Sequence, residues 1–265
     1  MPELPDVEVK KKYLAKTSLK KKIADVRVLD KRILGDNTTP AGLAKALKGA
    51  TFKEAIRRAK YLLVFTDRDD TLLMHFGMTG DLDFVKKGGD KPKYDRVEYR
   101  FADGSTLCYE NMRLFGKVAL FHTTDFAKIP DIAKLGPEPL DRSFTFKKFK
   151  DILDKRSTTI HQVLMEQELI AGIGNIFSDE ITYQAGVRPD RKVSSLSDEE
   201  LRKLFDKTKW VLRRAIELDA DLDGHPKQFI IPNRGPKGTC PKSNTALVKK
   251  TIGGRSSYYC PDCQK

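Results

Sequence analysis

The chain has 265 residues, and its 50 lysines and arginines outnumber its 37 aspartates and glutamates, leaving a net charge of +13. It contains no apolar run of about 18 residues, and charges stand where a signal peptide needs an apolar core, so we expect an intracellular protein without a membrane span. The positive excess attracts polyanions, most commonly nucleic acid, although lysine faces that only contact solvent give the same excess.

The first half of the chain predicts a helix followed by short strands. The helix covers residues 5–18, because Pro5 suits a first helical position and Asp6 suits the positive end of the helix dipole. From about 23 to 122, apolar runs such as YLLVFT and KVALFH alternate with turns such as KKGGDKP, and one helix, AGLAKALKG, interrupts them. This pattern predicts a mostly β, sandwich-like domain over residues 1–130.

The second half is predicted to be helical and to end in a hairpin. A proline-containing linker is predicted over residues 131–143, before a helical domain over 144–227. The predicted helices are FTFKKFKDIL, TIHQVLMEQELI, NIFSDEITYQAG and SDEELRKLFDKTKWVLRRAIEL, the last with a capping box at Ser197 and Glu200 and an apolar stripe typical of a core. Residues 228–265 predict a β-hairpin with cysteines at its ends.

Three of the four cysteines lie in the last 26 residues, which indicates a metal site and not a disulfide framework. Cys240 begins one knuckle, and Cys260 and Cys263 form the other, as in a zinc ribbon with four tetrahedral ligands. Ser243 stands where the fourth cysteine is expected. The sequence is consistent with three thiolates plus water or another ligand, and with a hairpin held by packing alone. The isolated Cys108 is expected to be a buried structural thiol.

Two glycine-containing segments have spacings that suit phosphate binding. GIGN, residues 172–175, lies between two predicted helices, so its N–H groups and the next helix N-terminus can face a phosphate. GGR, residues 253–255, predicts a tight turn ending in a guanidinium, whose fork matches a phosphate. Either motif alone is also found in ordinary turns, so neither indicates phosphate binding without the other segments of the chain.

Six segments together resemble one known family. PELP, RRAKYLL, HFGMTG, NMRLFG, AGIGNIFSDEI and GGRSSYYCPDCQK occur in the order and at roughly the spacing of the formamidopyrimidine-DNA glycosylase and endonuclease VIII family. The resemblance spans nearly the whole chain and favours the formamidopyrimidine-DNA glycosylase branch. It implies an α+β fold: an N-terminal β-sandwich with a leading helix, a C-terminal helix-two-turn-helix domain and a zinc-ribbon-like β-hairpin.

The resemblance also implies an activity, which is excision of oxidised bases from duplex DNA followed by strand cleavage. Pro2, after removal of the initiator methionine, is the amine that attacks the deoxyribose C1′ to form an iminium, which permits β- and δ-elimination. Glu3 carries protons to the sugar ring oxygen or the base. Lys60 contacts a phosphate and transfers a proton in β-elimination. Arg255 grips the phosphates that flank the lesion and assists δ-elimination.

Further residues match the DNA contacts of the family. An extruded base leaves a gap in the duplex, and the side chains implied to fill it are Met78 and Phe115 by stacking and Arg113 by hydrogen bonding. The other implied DNA contacts are Tyr94, Asn175 and Lys155 or its neighbour Arg156. Asp6 stands where the family usually has glutamate, and its role is left open.

The implied partner is double-stranded DNA with damaged bases or abasic sites, bound by a monomer that carries structural zinc in the cytoplasm or nucleoid. Segment 218–233 is short where members that excise 8-oxoguanine carry a mobile loop, so formamidopyrimidines are the expected better substrates. Three alternatives remain open: a glycosylase for oxidised pyrimidines, a DNA-binding relative without catalysis, and a zinc-hairpin module that binds proteins.

Overall fold

The computed structural model describes residues 2–35, 38–221, 224 and 226–265. They form two compact units. One contains Pro2 and Asp6–Ala133, and the other contains Glu3–Pro5 and Lys134–Lys265. Processing of the initiator methionine concerns a residue outside the described ranges, and so do three residues of segment 218–233. The division into four parts that the sequence suggested stays a prediction.

Among its described residues, the first unit contains two four-stranded antiparallel sheets and three α-helices, the first of which begins with two residues of the second unit. Its helices are α1 (Leu4–Ser18), α2 (Pro40–Leu47) and the short α3 (Pro130–Ala133). Its strands are β1 (Ile23–Val28), β2 (Phe52–Arg58), β3 (Tyr61–Thr66), β4 (Thr71–His75), β5 (Gly80–Val85), β6 (Asp95–Phe101), β7 (Thr106–Asn111) and β8 (Lys117–Phe121). The strand orders are β1-β6-β7-β5 and β2-β3-β4-β8.

The two sheets share one apolar core, as the predicted sandwich requires. Leu62 and Val64 of β3 belong to the same buried cluster as Val97 and Tyr99 of β6. The alternation of these residues along each strand places them on one face of each sheet. The predicted α+β fold with an N-terminal sandwich is therefore confirmed.

The second unit is helical and ends in a hairpin. Its elements are α4 (Phe146–Leu153), α5 (Ile160–Met165), α6 (Asn175–Ala185), α7 (Asp198–Glu217), β9 (Val248–Ile252) and β10 (Arg255–Tyr259). Ser197 and Glu200 form the predicted capping box at the start of α7. Apolar residues of α6 and α7 pack in one buried cluster, which includes Phe177, Leu204 and Leu212. Within the described residues, no helix is long and apolar enough to cross a membrane.

One predicted helix ends early. The pattern TIHQVLMEQELI predicts a helix up to residue 170, whereas α5 stops at Met165. The Gln167 side chain is the reason, because its amide donates to the carbonyls of Met165 at 2.7 Å and Ile173 at 2.8 Å and its oxygen accepts from the Gly172 N–H at 2.9 Å. These bonds satisfy the backbone of a turn in place of helical hydrogen bonds.

Candidate active site

The carboxylate of Glu3 caps the N-terminus of α6. It accepts hydrogen bonds from the N–H groups of Gly174 at 2.6 Å, Ile176 at 2.8 Å and Phe177 at 3.3 Å, and Glu3 is only 2% exposed. The first N–H groups of a helix lack partners within the helix and carry its positive dipole end. The location therefore stabilises a charged carboxylate and holds both of its oxygens in place.

Two positions in the turn before α6 require glycine. A Cβ on Gly174 would lie 2.4 Å from the Glu3 carboxyl carbon. Gly172 has a φ of +104°, and its carbonyl accepts the Leu4 N–H at 2.9 Å. The sequence predicted a phosphate against the N–H groups of this turn, but three N–H groups here bind the Glu3 carboxylate. That prediction is corrected, because the anion bound at this helix N-terminus belongs to the chain itself.

The hairpin that carries Arg255 packs beside the start of α6. Gly253 and Gly254 have φ values of +54° and +77° and form the two-residue turn between β9 and β10, as the GGR segment predicts. Arg255 follows the turn and is exposed. The Asn175 amide donates to the carbonyl of Ser256 at 2.8 Å. The Asn175 side chain therefore contacts the backbone directly after Arg255.

Lys60 occupies the β2–β3 turn and is 7% exposed, so it is not a solvated surface lysine. Its positive charge acts on His75 at the end of β4. Burial, reinforced by the Lys60 charge, lowers the pKa of His75 to about 4, so this imidazole is uncharged at neutral pH. Its Nδ1 accepts the Gly77 N–H at 3.3 Å. His75 is therefore acted on by the Lys60 charge and is also hydrogen-bonded to Gly77 in the next turn of the chain.

Met78, Arg113 and Phe115 lie on two neighbouring turns. Met78 and Phe115 are 43% and 58% exposed, and the Arg113 guanidinium lies 5.0 Å from the centre of the Phe115 ring. The Arg113 N–H donates to the Thr79 hydroxyl at 3.0 Å. Gly77 permits the close approach of the turns, since a Cβ there would lie 2.3 Å from the Phe115 carbonyl carbon. The structure therefore brings the predicted gap-filling residues together.

The other predicted residues occupy varied surroundings. Pro2 is half-buried, and Lys155 is exposed in the segment after α4. Tyr94 is half-buried, with the Lys93 ammonium 5.4 Å and the Arg96 guanidinium 5.8 Å from its ring centre. The cationic groups around Tyr94 and the exposed Lys155 provide positive charge for a polyanion.

Three cysteines form a compact cluster at the base of the hairpin. The sulfurs of Cys240, Cys260 and Cys263 lie within 4.8 Å of one another, and Cys240 and Cys263 are separated by 3.6 Å. Tetrahedral zinc with Zn–S bonds of about 2.3 Å requires sulfur separations of about 3.8 Å, so the cluster fits a metal ion. The Ser243 hydroxyl lies 3.3 Å from the Cys260 sulfur, beside the three thiols.

The surroundings of Cys240 also suit metal binding. Burial raises the pKa of this thiol, but hydrogen bonds from Ser243 and Tyr183 outweigh burial and lower the pKa to about 6. A thiol must lose its proton to bind a metal, and a lowered pKa makes that loss easier. Cys240 can therefore provide a thiolate at neutral pH, whereas burial and the neighbouring thiols raise the pKa of Cys263 to about 11.

Comparison with known proteins decides the family. Sequence models of the formamidopyrimidine-DNA glycosylase N-terminal domain and H2TH domain match residues 1–118 and 135–224. A formamidopyrimidine-DNA glycosylase of Pelobacter propionicus is 35% identical over 272 residues, with 100% of both chains covered. The chain belongs to the formamidopyrimidine-DNA glycosylase family.

Solved structures of formamidopyrimidine-DNA glycosylases share the fold. Lactococcus lactis Fpg in complex with abasic-site DNA is 30% identical, with a TM-score of 0.88 and 99% of each chain covered. MutM in complex with DNA containing carbocyclic 8-oxo-G is also 30% identical, with a TM-score of 0.89 and 100% of each chain covered. Both relatives were therefore solved on DNA with a modified or missing base.

Sequence reasoning missed two residues that complete these clusters. Met112 is 48% exposed beside Arg113, on the same turn as Phe115. Asp179 of α6 is fully buried and hydrogen-bonded to β10. Met112 lies inside the NMRLFG segment, which was a signal for it, whereas Asp179 stands between the polar residues Ser178 and Glu180 and no local pattern marks it.

Proposed function

We propose that the protein is a bifunctional DNA glycosylase and AP lyase that excises oxidised bases from double-stranded DNA in base excision repair. Family membership supports the class of activity. The observation that carries the proposal is the carboxylate of Glu3, the residue that directly follows Pro2, which is held by the N–H of Gly174 and by two N–H groups in the first turn of α6. A carboxylate that is fixed in place and belongs to the residue after an N-terminal amine suits proton transfer during attack by that amine.

Pro2 is the proposed nucleophile. Without the initiator methionine its nitrogen is a secondary amine, which attacks C1′ of the damaged nucleotide as the bond from C1′ to the base breaks. The base leaves with the bonding electrons and takes a proton from the surrounding water. The sugar ring then opens, O4′ gains a proton, and C1′ remains bound to Pro2 as an iminium.

The iminium withdraws electrons from the sugar. Loss of the C2′ proton breaks the C3′–O bond and releases the phosphate on that side, which is β-elimination. Loss of the C4′ proton then breaks the C5′–O bond and releases the second phosphate, which is δ-elimination. Water finally hydrolyses the iminium and frees Pro2.

Glu3 is the proposed proton carrier in the first step. Its charged form can take the proton that the Pro2 nitrogen loses during attack and pass it to O4′ as the ring opens. Lys60 and Arg255 are proposed to contact the phosphates on either side of the lesion. Lys60 would also transfer a proton in β-elimination, and Arg255 would assist δ-elimination. Both side chains offer the positive charge that departing phosphates require.

The turns that carry Met78, Arg113 and Phe115 are the proposed filler of the gap left by the extruded base. Two exposed apolar side chains beside a guanidinium can replace stacking and hydrogen-bond the orphaned partner base. We add Met112 to this set, because it is exposed on the same turn. DNA as substrate would place the protein at the nucleoid.

Base release from defined duplexes tests the proposal. Separate duplexes would contain formamidopyrimidine guanine, 8-oxoguanine, an oxidised pyrimidine or undamaged guanine. We expect the fastest release for formamidopyrimidine guanine and a cut strand after each release. Faster release of the oxidised pyrimidine would favour that alternative, and binding without release from any duplex would favour a non-catalytic relative.

Zinc is the proposed ion of the cysteine cluster, with the Ser243 hydroxyl as the fourth ligand. The Ser243 hydroxyl donates to Thr245 Oγ1 at 3.0 Å, and the Thr245 hydroxyl donates to the Asp262 carboxylate. A donor chain that ends on a carboxylate makes the Ser243 oxygen a better ligand. Zinc would join the two knuckles that support the hairpin of Arg255.

Variants at Ser243 test this site. Ser243→Cys supplies a fourth thiolate and is expected to retain zinc against a chelator at least about tenfold better, whereas Ser243→Ala is expected to retain it about tenfold less well. Zinc per chain after chelator competition is the measurement, with Cys260→Ser as the variant that removes a thiolate. Equal retention by Ser243→Ala and the unmodified chain would exclude serine as a ligand.

A further inference from the structure

Asp179 is a buried carboxyl group that no proposed step uses. It accepts hydrogen bonds from the Ser257 hydroxyl at 2.5 Å, the Tyr258 N–H at 3.0 Å and the Arg234 guanidinium at 2.7 and 3.0 Å. The His161 Nε2 lies 3.6 Å away. Burying a carboxyl group is costly unless its oxygens are satisfied, and here several donors converge on it.

The contacts of Asp179 fall on the strand that carries Arg255. Ser257 and Tyr258 are the second and third residues after Arg255 in β10. Asn175, one helical turn before Asp179 on the same face of α6, donates to the carbonyl of Ser256. Two side chains of one helix therefore hold three consecutive residues directly after Arg255.

The turn before Arg255 is supported on one side only, where a Cβ on Gly253 would lie 2.9 Å from the Gln162 side chain. A Cβ on Gly254 would find no atom within 4 Å, so this side of the turn is open to solvent. Arg255 itself is exposed. The location of its guanidinium therefore depends on how β10 is fixed against α6, as well as on the contact between the turn and Gln162.

We propose that Asp179 is a positioning residue for Arg255, because its carboxyl group fixes β10 on α6 and so sets where the guanidinium meets a DNA phosphate. The inference rests on the proposed function and deepens the part played by Arg255. Arg234 completes the arrangement, since its guanidinium binds Asp179 and also lies 5.2 Å from the Tyr258 ring centre.

The test separates elimination from the earlier chemistry. On duplex DNA with a preformed abasic site, the ratio of δ- to β-elimination product is measured beside the amount of iminium trapped by borohydride. A misplacement of about 1 Å can cost on the order of 100-fold in rate, so Asp179→Ala is expected to lower the ratio at least about tenfold. Trapping per folded molecule is expected to stay near the level of the unmodified chain.

Two further variants separate positioning from charge and from folding. Asp179→Asn is expected to restore most of the ratio, because the amide oxygen can accept from Tyr258 and Arg234 while its nitrogen donates to Ser257. Ser257→Ala removes a single hydrogen bond and is expected to lower the ratio about twofold to fivefold. If Asp179→Ala does not fold, Ser257→Ala decides the result.

Asp190→Asn is the matched control. Asp190 also holds the hairpin, through an ion pair of 2.7 Å to Lys250, but that contact is on β9. We expect its δ-to-β ratio to be unchanged. The inference is overturned if Asp179→Ala and Ser257→Ala both keep the ratio, or if Asp179→Asn behaves like Asp179→Ala. Absence of any trapped adduct in the unmodified chain would instead contradict the proposed function.

Discussion

Replacing Glu3 by glutamine is expected to slow base excision about 10²- to 10⁴-fold, the range in which a positioned proton carrier contributes to catalysis. Both oxygens of Glu3 accept N–H groups of α6, whereas glutamine offers one acceptor oxygen and directs its NH₂ group at a donor. Single-turnover release of the base from a lesion duplex measures the effect.

Two controls belong to this measurement. Loss of a helix cap costs about 1 kcal/mol, so the thermal midpoint of Glu3→Gln shows how much of the change is structural. Glu8→Gln removes a carboxylate of α1 that pairs with Arg57 at 2.9 Å, and it is expected to excise at the normal rate. Normal excision by Glu3→Gln would remove Glu3 from the mechanism.

Gly174→Ala is expected to reduce excision about 100-fold without any change to a reacting group. The added methyl group would lie 2.4 Å from the Glu3 carboxyl carbon, so either the carboxylate or the turn has to move. The same single-turnover assay measures the loss, together with the thermal midpoint.

Gly235→Ala is the control for this substitution, because a Cβ at Gly235 would meet no atom within 4 Å. We expect normal activity from Gly235→Ala. If Gly174→Ala were equally active, the close contact between this glycine and Glu3 would have no catalytic role.

Local patterns predicted much of the fold. Alternating apolar runs gave the strands of the sandwich core, and the capping box at Ser197 marked the start of α7 correctly. The early end of α5 was not predictable from its pattern, because the Gln167 side chain replaces the helical hydrogen bonds of a sequence that has helical periodicity. Side chains that bind the backbone of a turn leave no periodic signal.

The sequence predicted which residues form the site, but it did not predict most of the contacts between them. The resemblance named Glu3 and the GIGN turn, but their contact joins residues more than 170 positions apart, which no local pattern encodes. The turn was therefore predicted to bind a phosphate. Asp179 was missed for a similar reason, since its partners lie on a hairpin far along the chain.

The central claim is that the Pro2 nitrogen forms an iminium with the damaged nucleotide. Borohydride reduces an iminium to a stable amine, so incubation with a lesion duplex and borohydride, followed by digestion and mass measurement, locates the adduct. The control is a chain that keeps its initiator methionine, in which the Pro2 nitrogen is an amide.

We predict a single adduct on the peptide that begins at Pro2, and none on the chain that keeps the methionine. An adduct on a lysine, or base release without an adduct, would contradict the account.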